Sequence, residues 1–167
     1  MEKLLSTLKR EYPHLTFIKG VDFCWSPVTN EIMYCTTLAK IDHAKFTILH
    51  ELSHALLGHC EYKVDFELLQ LEIAAWEHAK TIAAKYGIEI NDDYIQSCLD
   101  SYRDWIYKRS ICPRCGSKSM QSEDPSHYRC FNCHNRWYVA NSKFCRTYRQ
   151  HKIKNKTPAT IQLQTLY

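Results

Sequence analysis

The chain has 167 residues, with 22 Lys and Arg against 18 Asp and Glu, a formal net charge of +4 and 45% hydrophobic residues. This length allows one compact domain with a small appendage and excludes two large cores. No run approaches the roughly twenty apolar residues of a membrane helix, and Met1-Glu2-Lys3 opens no signal peptide, so we expect a cytoplasmic protein.

The first part of the chain predicts a helix followed by short strands. Leucines recur at helical spacing within residues 2–12, and Pro13 ends that pattern. Residues 17–21 and 22–35 are typical of strands, with a turn at 26–30. We therefore expect a small antiparallel sheet ahead of the next helix.

The next helical pattern contains the arrangement HExxH, formed by His50, Glu51 and His54. Residues four apart lie on one helix face, so both imidazoles can reach one zinc ion. Glu51 can then take a proton from a water that the metal activates and deliver it to a leaving amine. Apart from these three residues and Ser53, residues 48–57 are apolar, and polar groups buried there need a partner such as a metal. The motif predicts hydrolysis, most simply of peptides.

A catalytic zinc normally has three protein ligands, so one ligand must come from outside the motif. His59 is the nearest candidate, although it follows Gly58, which is typical of a helix C-terminus. Glu72 is the second candidate, on a helical pattern from about residue 65 to 86 that Gly87 ends. Glu72 lies beside the apolar stripe of that helix, where a carboxylate favours a cation nearby. The residues by themselves leave both candidates open.

Two segments resemble the ImmA/IrrE-type metallopeptidases. Residues 45–57, KFTILHELSHALL, are similar to the family pattern RFTxAHELGHxLL, and residues 72–79, EIAAWEHA, fit its second signature ExxAxxxA. The resemblance covers about residues 1–85. Two departures are Ser53, in place of the usual glycine, and Trp76, where a small polar residue is frequent; neither removes a ligand.

The resemblance implies a zincin-like peptidase in which His50, His54 and Glu72 hold zinc and Glu51 is the base. It favours Glu72 as third ligand over His59, Glu77 and His78. It also implies a substrate class, helix-turn-helix repressors, which such peptidases cleave or inactivate in mobile elements and stress responses. A sheet edge beside the zinc helix can hold an extended substrate in peptidases of this kind, and residues 31–35 either form that edge or only cover the core.

Four cysteines further along the chain have zinc-ribbon spacing. They follow a helical pattern that Asn91 caps and that ends near Arg109. Four thiolates close a tetrahedral site, exclude water and stabilise a short segment, so this zinc should be structural. Disulfides are the alternative, but a cytosolic chain keeps its thiols reduced. The predicted ligands are Cys112, Cys115, Cys130 and Cys133.

Charge divides the chain into an acidic and a basic part. Residues 1–107 hold ten Lys and Arg against sixteen Asp and Glu, whereas residues 108–167 hold twelve against two. Basic residues interleaved with aromatic rings suit phosphates and unstacked bases. The alternative is that the rings form the small core of the ribbon while the lysines are solvated. The remaining cysteines have no paired spacing and are assigned no function.

These patterns predict an α+β protein with three parts: a zincin-like domain at residues 1–109, a zinc ribbon at 110–140 and a basic tail at 141–167. The first hypothesis is a zinc endopeptidase with one catalytic and one structural Zn²⁺, acting on a protein substrate such as a DNA-bound repressor. The ribbon would then dock substrate or nucleic acid. The second hypothesis is a non-catalytic adaptor that binds nucleic acid or protein on a zincin scaffold.

Overall fold

The fold of the chain is α+β, as the sequence predicts. The structure is a computed structural model that describes residues 1–36, 41–121 and 126–140, so the predicted tail at 141–167 lies outside the described residues. Within these ranges no helix is long and apolar enough to cross a membrane. The elements of the described ranges are α1 (Glu2–Glu11), β1 (Thr16–Lys19), β2 (Cys24–Ser26), β3 (Glu31–Tyr34), α2 (Ile41–Leu56), α3 (Asp65–Lys85), α4 (Asp92–Ser110), β4 (Met120–Gln121), β5 (His127–Arg129) and β6 (Arg136–Tyr138).

Local signals in the sequence set the helix ends. α4 begins where the Asn91 side chain accepts a hydrogen bond from the Tyr94 N–H at 2.7 Å, which satisfies one free donor of the first turn. α2 and α3 each end just before a glycine with positive φ, Gly58 at +67° and Gly87 at +65°. A glycine adopts this left-handed conformation without the steric penalty of a side chain. The end at Gly58 takes His59 off the axis of the motif helix.

The first sheet is mixed, which corrects the expectation of an antiparallel sheet. β3 lies between the other two strands, antiparallel to β2 but parallel to β1, with Phe17 opposite Ile32 and Trp25 also opposite Ile32. The chain leaves β1, forms β2 at the far edge and returns by a tight turn into the middle. The predicted edge at residues 31–35 is therefore wrong, because β3 is hydrogen-bonded on both sides. Both β2 and β3 contact the motif helix, and of these two β2 lies at an edge of the sheet.

The main core lies between the first sheet, α1 and the facing helices α2 and α3. α2 places Ile48, Leu49 and Leu52 in this core with 0% exposure, and α3 contributes Ala79 and Ile82. The apolar residues of α2 extend around most of the circumference of this helix, so α2 is buried on several sides. The motif residues are consequently held inside the protein and do not project from its surface.

The second sheet is antiparallel in the order β4-β5-β6, and its contacts with the helices involve Asp65 and Arg109. Asp65, at the start of α3, is 1% exposed; its Oδ2 lies 2.8 Å from Nε of Arg109 and accepts a 2.9 Å hydrogen bond from the Tyr128 hydroxyl. The Asp65 N–H donates to the side chain of Gln121 at 2.7 Å, and the Trp137 indole N–H donates to the Arg109 carbonyl at 3.0 Å. The sheet is thus fixed to the start of α3 and the end of α4.

Candidate metal centre

The motif helix brings two imidazoles together. His50 and His54 are one turn apart on α2, so their rings meet edge to face with centroids 4.6 Å apart and Nε2 atoms 3.1 Å apart. Both side chains are buried, with His50 at 2% and His54 at 0% exposure. Two ring nitrogens therefore point at the same small volume inside the core.

The third member of this group comes from the facing helix. Glu72 on α3 is 0% exposed, and its Oε2 lies 3.1 Å from Nε2 of His50 while its Oε1 lies 3.7 Å from Nε2 of His54. Glu72 reaches this position because it borders the apolar stripe of α3, and α2 packs against that stripe. One ligand atom from each residue lies within 4.8 Å of the other two.

The spacing between the two imidazole nitrogens and the carboxylate oxygens fits a transition metal. Zinc bonds of about 2.0–2.1 Å at tetrahedral angles separate neighbouring ligand atoms by about 3.3 Å, close to the observed 3.1–3.7 Å. A donor set of two imidazoles and one carboxylate suits zinc and leaves further coordination positions for other molecules. Within the described ranges the group has no fourth His, Cys, Asp or Glu member.

Burial favours the neutral form of His54. Removal from water lowers the pKa of His54 below its ordinary value of 6.5, and the neighbouring His50 lowers it further. Neutral imidazole is the form that coordinates metals, so burial favours coordination.

His59 lies next to this group on its outer side. Its Nδ1 is 2.9 Å from Nδ1 of His54, the ring nitrogen opposite the one that faces Glu72. Burial, together with the nearby His54, lowers the pKa of His59 to about 4. When His54 coordinates through Nε2, its Nδ1 carries the proton and donates to His59, which fixes the tautomer. The structure thus brings Glu72 into the group and places the other candidate, His59, behind His54.

Trp76 packs on His50, whereas His59 contacts His54. Its ring stacks on the His50 ring with centroids 4.1 Å apart and planes at 21°, and Trp76 itself is 3% exposed. Trp76 follows Glu72 by four residues on α3, so one helix face supplies both the carboxylate and the ring. The stack holds the orientation of His50. The other two positions on this helix, Glu77 and His78, are not members of the group.

Glu51 is fixed by the edge strand of the first sheet. It is 1% exposed, and its Oε2 accepts a 2.7 Å hydrogen bond from the backbone N–H of Trp25 in β2. The indole N–H of the same Trp25 donates to the carbonyl of His59 at 3.1 Å. Trp25 therefore connects β2 both to the motif helix and to the chain just beyond the end of that helix. Nothing in the sequence marks Trp25 for this role, because its partners lie 26 and 34 residues away.

A second group of possible ligands lies in the ribbon. Sγ of Cys112 is 3.6 Å from Sγ of Cys133, and Sγ of Cys115 is 3.5 Å from Sγ of Cys130. These separations exceed the roughly 2.05 Å of a disulfide and approach the about 3.8 Å between thiolates around a tetrahedral zinc. The four sulfur atoms lie within 4.8 Å of one another.

The two cysteine turns of the ribbon have matching backbone geometry. Gly116 at φ +72° and His134 at φ +56° occupy equivalent positions, each donating its N–H to the carbonyl of the first cysteine of its turn. Hydrogen bonds from Ser117 lower the pKa of Cys115 to about 6, whereas burial and the neighbouring cysteines raise the pKa of Cys133. The predicted set of four cysteines is therefore assembled by the fold as one cluster.

Comparison of the chain with models of protein families, with curated protein sequences and with solved structures gave no match.

Proposed function

We propose that this chain is a zinc-dependent endopeptidase of the ImmA/IrrE type, with a zincin-like arrangement of α2 and α3. The observation that supports this most strongly is the meeting of His50, His54 and Glu72 in the core, with 3.1–3.7 Å between their ligand atoms. Burying a carboxylate and two imidazoles at this depth carries a desolvation cost of several kcal/mol, which a bound cation would offset.

The chemistry divides between the metal and the side chains around it. When bound, zinc supplies Lewis-acid polarisation of the peptide carbonyl and of the attacking water. Glu51 takes the proton from that water and returns it to the leaving amine, as general base and then general acid. The 2.7 Å bond from Trp25 holds the Glu51 carboxylate in place before substrate arrives. His59 and Trp76 orient the two imidazoles from outside.

The ribbon zinc has a structural role in this proposal. Four thiolates complete its coordination, so no position is left for water or substrate. Its segment has strands of only two or three residues, which are too short to fold on a hydrophobic core of their own.

The proposed substrate is a protein, and the first one to test is a DNA-bound helix-turn-helix repressor. This class follows from the resemblance of residues 45–57 and 72–79 to the ImmA/IrrE type. A peptidase of this kind acts on an extended chain, and the edge strand β2 adjoins Glu51.

Glu51→Gln provides the decisive experiment. Cells that express the wild type should show protein N-termini that are absent from cells expressing Glu51→Gln, measured by mass spectrometry of N-terminal peptides. The variant should retain the zinc content of the wild type, because Glu51 is not a ligand. Glu77→Gln, an exposed glutamate on α3, serves as the matched control. If the wild type and Glu51→Gln give the same set of N-termini, the protein is an adaptor and not a peptidase.

A further inference from the structure

The two faces of the second sheet differ in chemistry. Side chains alternate along β5 and β6, so Tyr128 and Trp137 point to one face, where their rings stack with centroids 5.6 Å apart. That face is turned toward the helices, since Tyr128 bonds to Asp65 and Trp137 bonds to Arg109. The aromatic residues of this inner face are thus used in the protein's own packing.

The opposite face carries cations and an exposed ring. Met120, Arg129 and Arg136 are directly opposite one another across β4, β5 and β6, and Tyr138 lies two residues beyond Arg136 on the same side. Met120 is 71% exposed and Tyr138 is 64% exposed, and both arginines are exposed. We call this surface the ribbon face, and its members are Met120, His127, Arg129, Arg136 and Tyr138. His127 is opposite Tyr138 on β5, and its ring meets the Tyr138 ring edge to face with centroids 5.5 Å apart.

Arg129 and Arg136 lie directly opposite each other on β5 and β6. Like charges directly opposite on neighbouring strands destabilise a sheet, and within the described ranges neither arginine takes part in an ion pair. Arg109 and Lys118 differ, because Arg109 pairs with Asp65 and Lys118 lies over the Tyr107 ring at 4.2 Å. The described residues of this segment, 111–121 and 126–140, contain no Asp or Glu, whereas Glu123 and Asp124 lie outside the described residues. An anion with charges spaced along a chain would relieve the repulsion.

An exposed ring beside these cations narrows the choice of anion. Tyr138 offers its face to an unpaired base, whereas the bases of a duplex are already stacked on one another. Arginine guanidinium groups also bind phosphate in a bidentate manner and stack on bases. Phe131, in the neighbouring cysteine turn, is 69% exposed and adds a second accessible ring to the ribbon.

We propose that the ribbon face binds single-stranded nucleic acid, with Arg129 and Arg136 on phosphates and Tyr138 stacked on a base. This inference goes beyond the proposed peptidase and does not rest on it, because none of its residues lies at the His50, His54 and Glu72 group. The surface spans three short strands, which suits contact with a few nucleotides.

Fluorescence anisotropy with labelled single-stranded oligonucleotides of about 12 nucleotides tests the proposal. The full chain should bind them more tightly than a duplex of the same length. Arg129→Gln combined with Arg136→Gln should weaken binding at least tenfold at low salt. The slope of log K against log salt should become shallower by about 1.4, which corresponds to about 0.7 for each of two phosphates.

A second variant separates stacking from charge. Tyr138→Ala should weaken binding about tenfold without changing the salt slope, and an oligonucleotide without bases should bind Tyr138→Ala and wild type equally. The matched control is Arg10→Gln combined with Arg103→Gln, which removes two exposed arginines from the helices and should bind as wild type does. Every variant keeps residues 141–167, so differences between them report on the ribbon face.

Three outcomes would overturn the proposal: equal binding by wild type and the Arg129 and Arg136 double variant, equal or tighter binding of the duplex, or tighter binding of polyglutamate than of oligonucleotides. Zinc content and circular dichroism confirm that each variant is folded. Glu51→Gln should bind as wild type does, so loss of peptidase activity and loss of nucleic-acid binding can be told apart.

Discussion

The carboxylate of Glu51 accepts a 2.7 Å hydrogen bond from the backbone N–H of Trp25, which joins the motif helix to the edge strand of the first sheet. The same tryptophan donates its indole N–H to the carbonyl of His59, just beyond the end of that helix. One residue of a three-residue strand therefore determines where the candidate base lies and where the chain goes after Gly58.

Removal of the Glu51 carboxylate should destabilise the protein as well as inactivate it. Glu51→Ala leaves the buried Trp25 N–H without its acceptor, at a cost of about 1–3 kcal/mol in the free energy of unfolding. Glu51→Gln keeps an acceptor oxygen, so its free energy of unfolding should decrease less. Urea denaturation of the zinc-loaded proteins measures both, with the exposed Glu61→Ala as control. Equal stability of the alanine and glutamine variants would mean that the hydrogen bond contributes nothing.

Glu72 should be needed for one of two bound zinc ions. Wild type should carry two zinc ions per chain, whereas Glu72→Ala should carry one, because two histidines alone hold the metal weakly. Glu77→Gln, on the same helix but exposed, should keep both. Elemental analysis after dialysis gives the ratio. Two zinc ions in Glu72→Ala would show that another residue completes the site.

His59 should strengthen metal binding without being a ligand. His59→Ala removes the group that fixes the His54 ring, and loss of such an outer contact typically lowers metal affinity about 10- to 100-fold. The stoichiometry should stay at two when zinc is in excess. Competition with a chelator measures the affinity, and the exposed neighbour Cys60→Ser is the control. An affinity equal to that of wild type would contradict the role given to His59.

Trp76 should support both packing and the metal. Trp76→Ala opens a cavity in the core and removes the ring stacked on His50, so the free energy of unfolding should fall by about 3–5 kcal/mol. Trp76→Phe retains a smaller stacked ring, so its free energy of unfolding should fall less. Thermal unfolding with and without added zinc measures these losses in stability. Added zinc should partly restore the stability of Trp76→Ala, because the metal then holds the His50 ring. If alanine and phenylalanine variants are equally stable, the stack does not orient the histidine.

The buried pair of Asp65 and Arg109 should hold the ribbon to the helices. Arg109→Met leaves a buried carboxylate without its cation, which typically costs about 3–5 kcal/mol. Tyr128→Phe removes one hydrogen bond to the same oxygen and should cost about 1 kcal/mol. The double variant should lose less than the two losses added together, because both partners share Asp65. Arg103→Met, which removes a surface pair, should change stability by under about 1 kcal/mol. Additive losses in the double variant would contradict the shared network.

Much of the local structure could be predicted because it depends on short-range chemistry. Asn91 predicts the start of α4 through its capping side chain, and the helix ends follow from Gly58 and Gly87. The HExxH spacing places two imidazoles on one face of α2 whatever surrounds it. The two cysteine turns are likewise local, because the backbone of each turn brings its own pair of cysteines together.

The chain's own residues determined the α+β composition, the paired histidines and the four-cysteine spacing, because each depends on separations of a few residues. Only the tertiary structure decided that Glu72 and not His59 faces the imidazoles, that β3 and not β2 is the central strand, and that Asp65 connects ribbon and helices. The Glu72 and Asp65 contacts join residues 22 or more positions apart. The order of the strands is one of several that the same sequence pattern allows. Such choices depend on how whole helices and strands pack, and no local pattern specifies that packing.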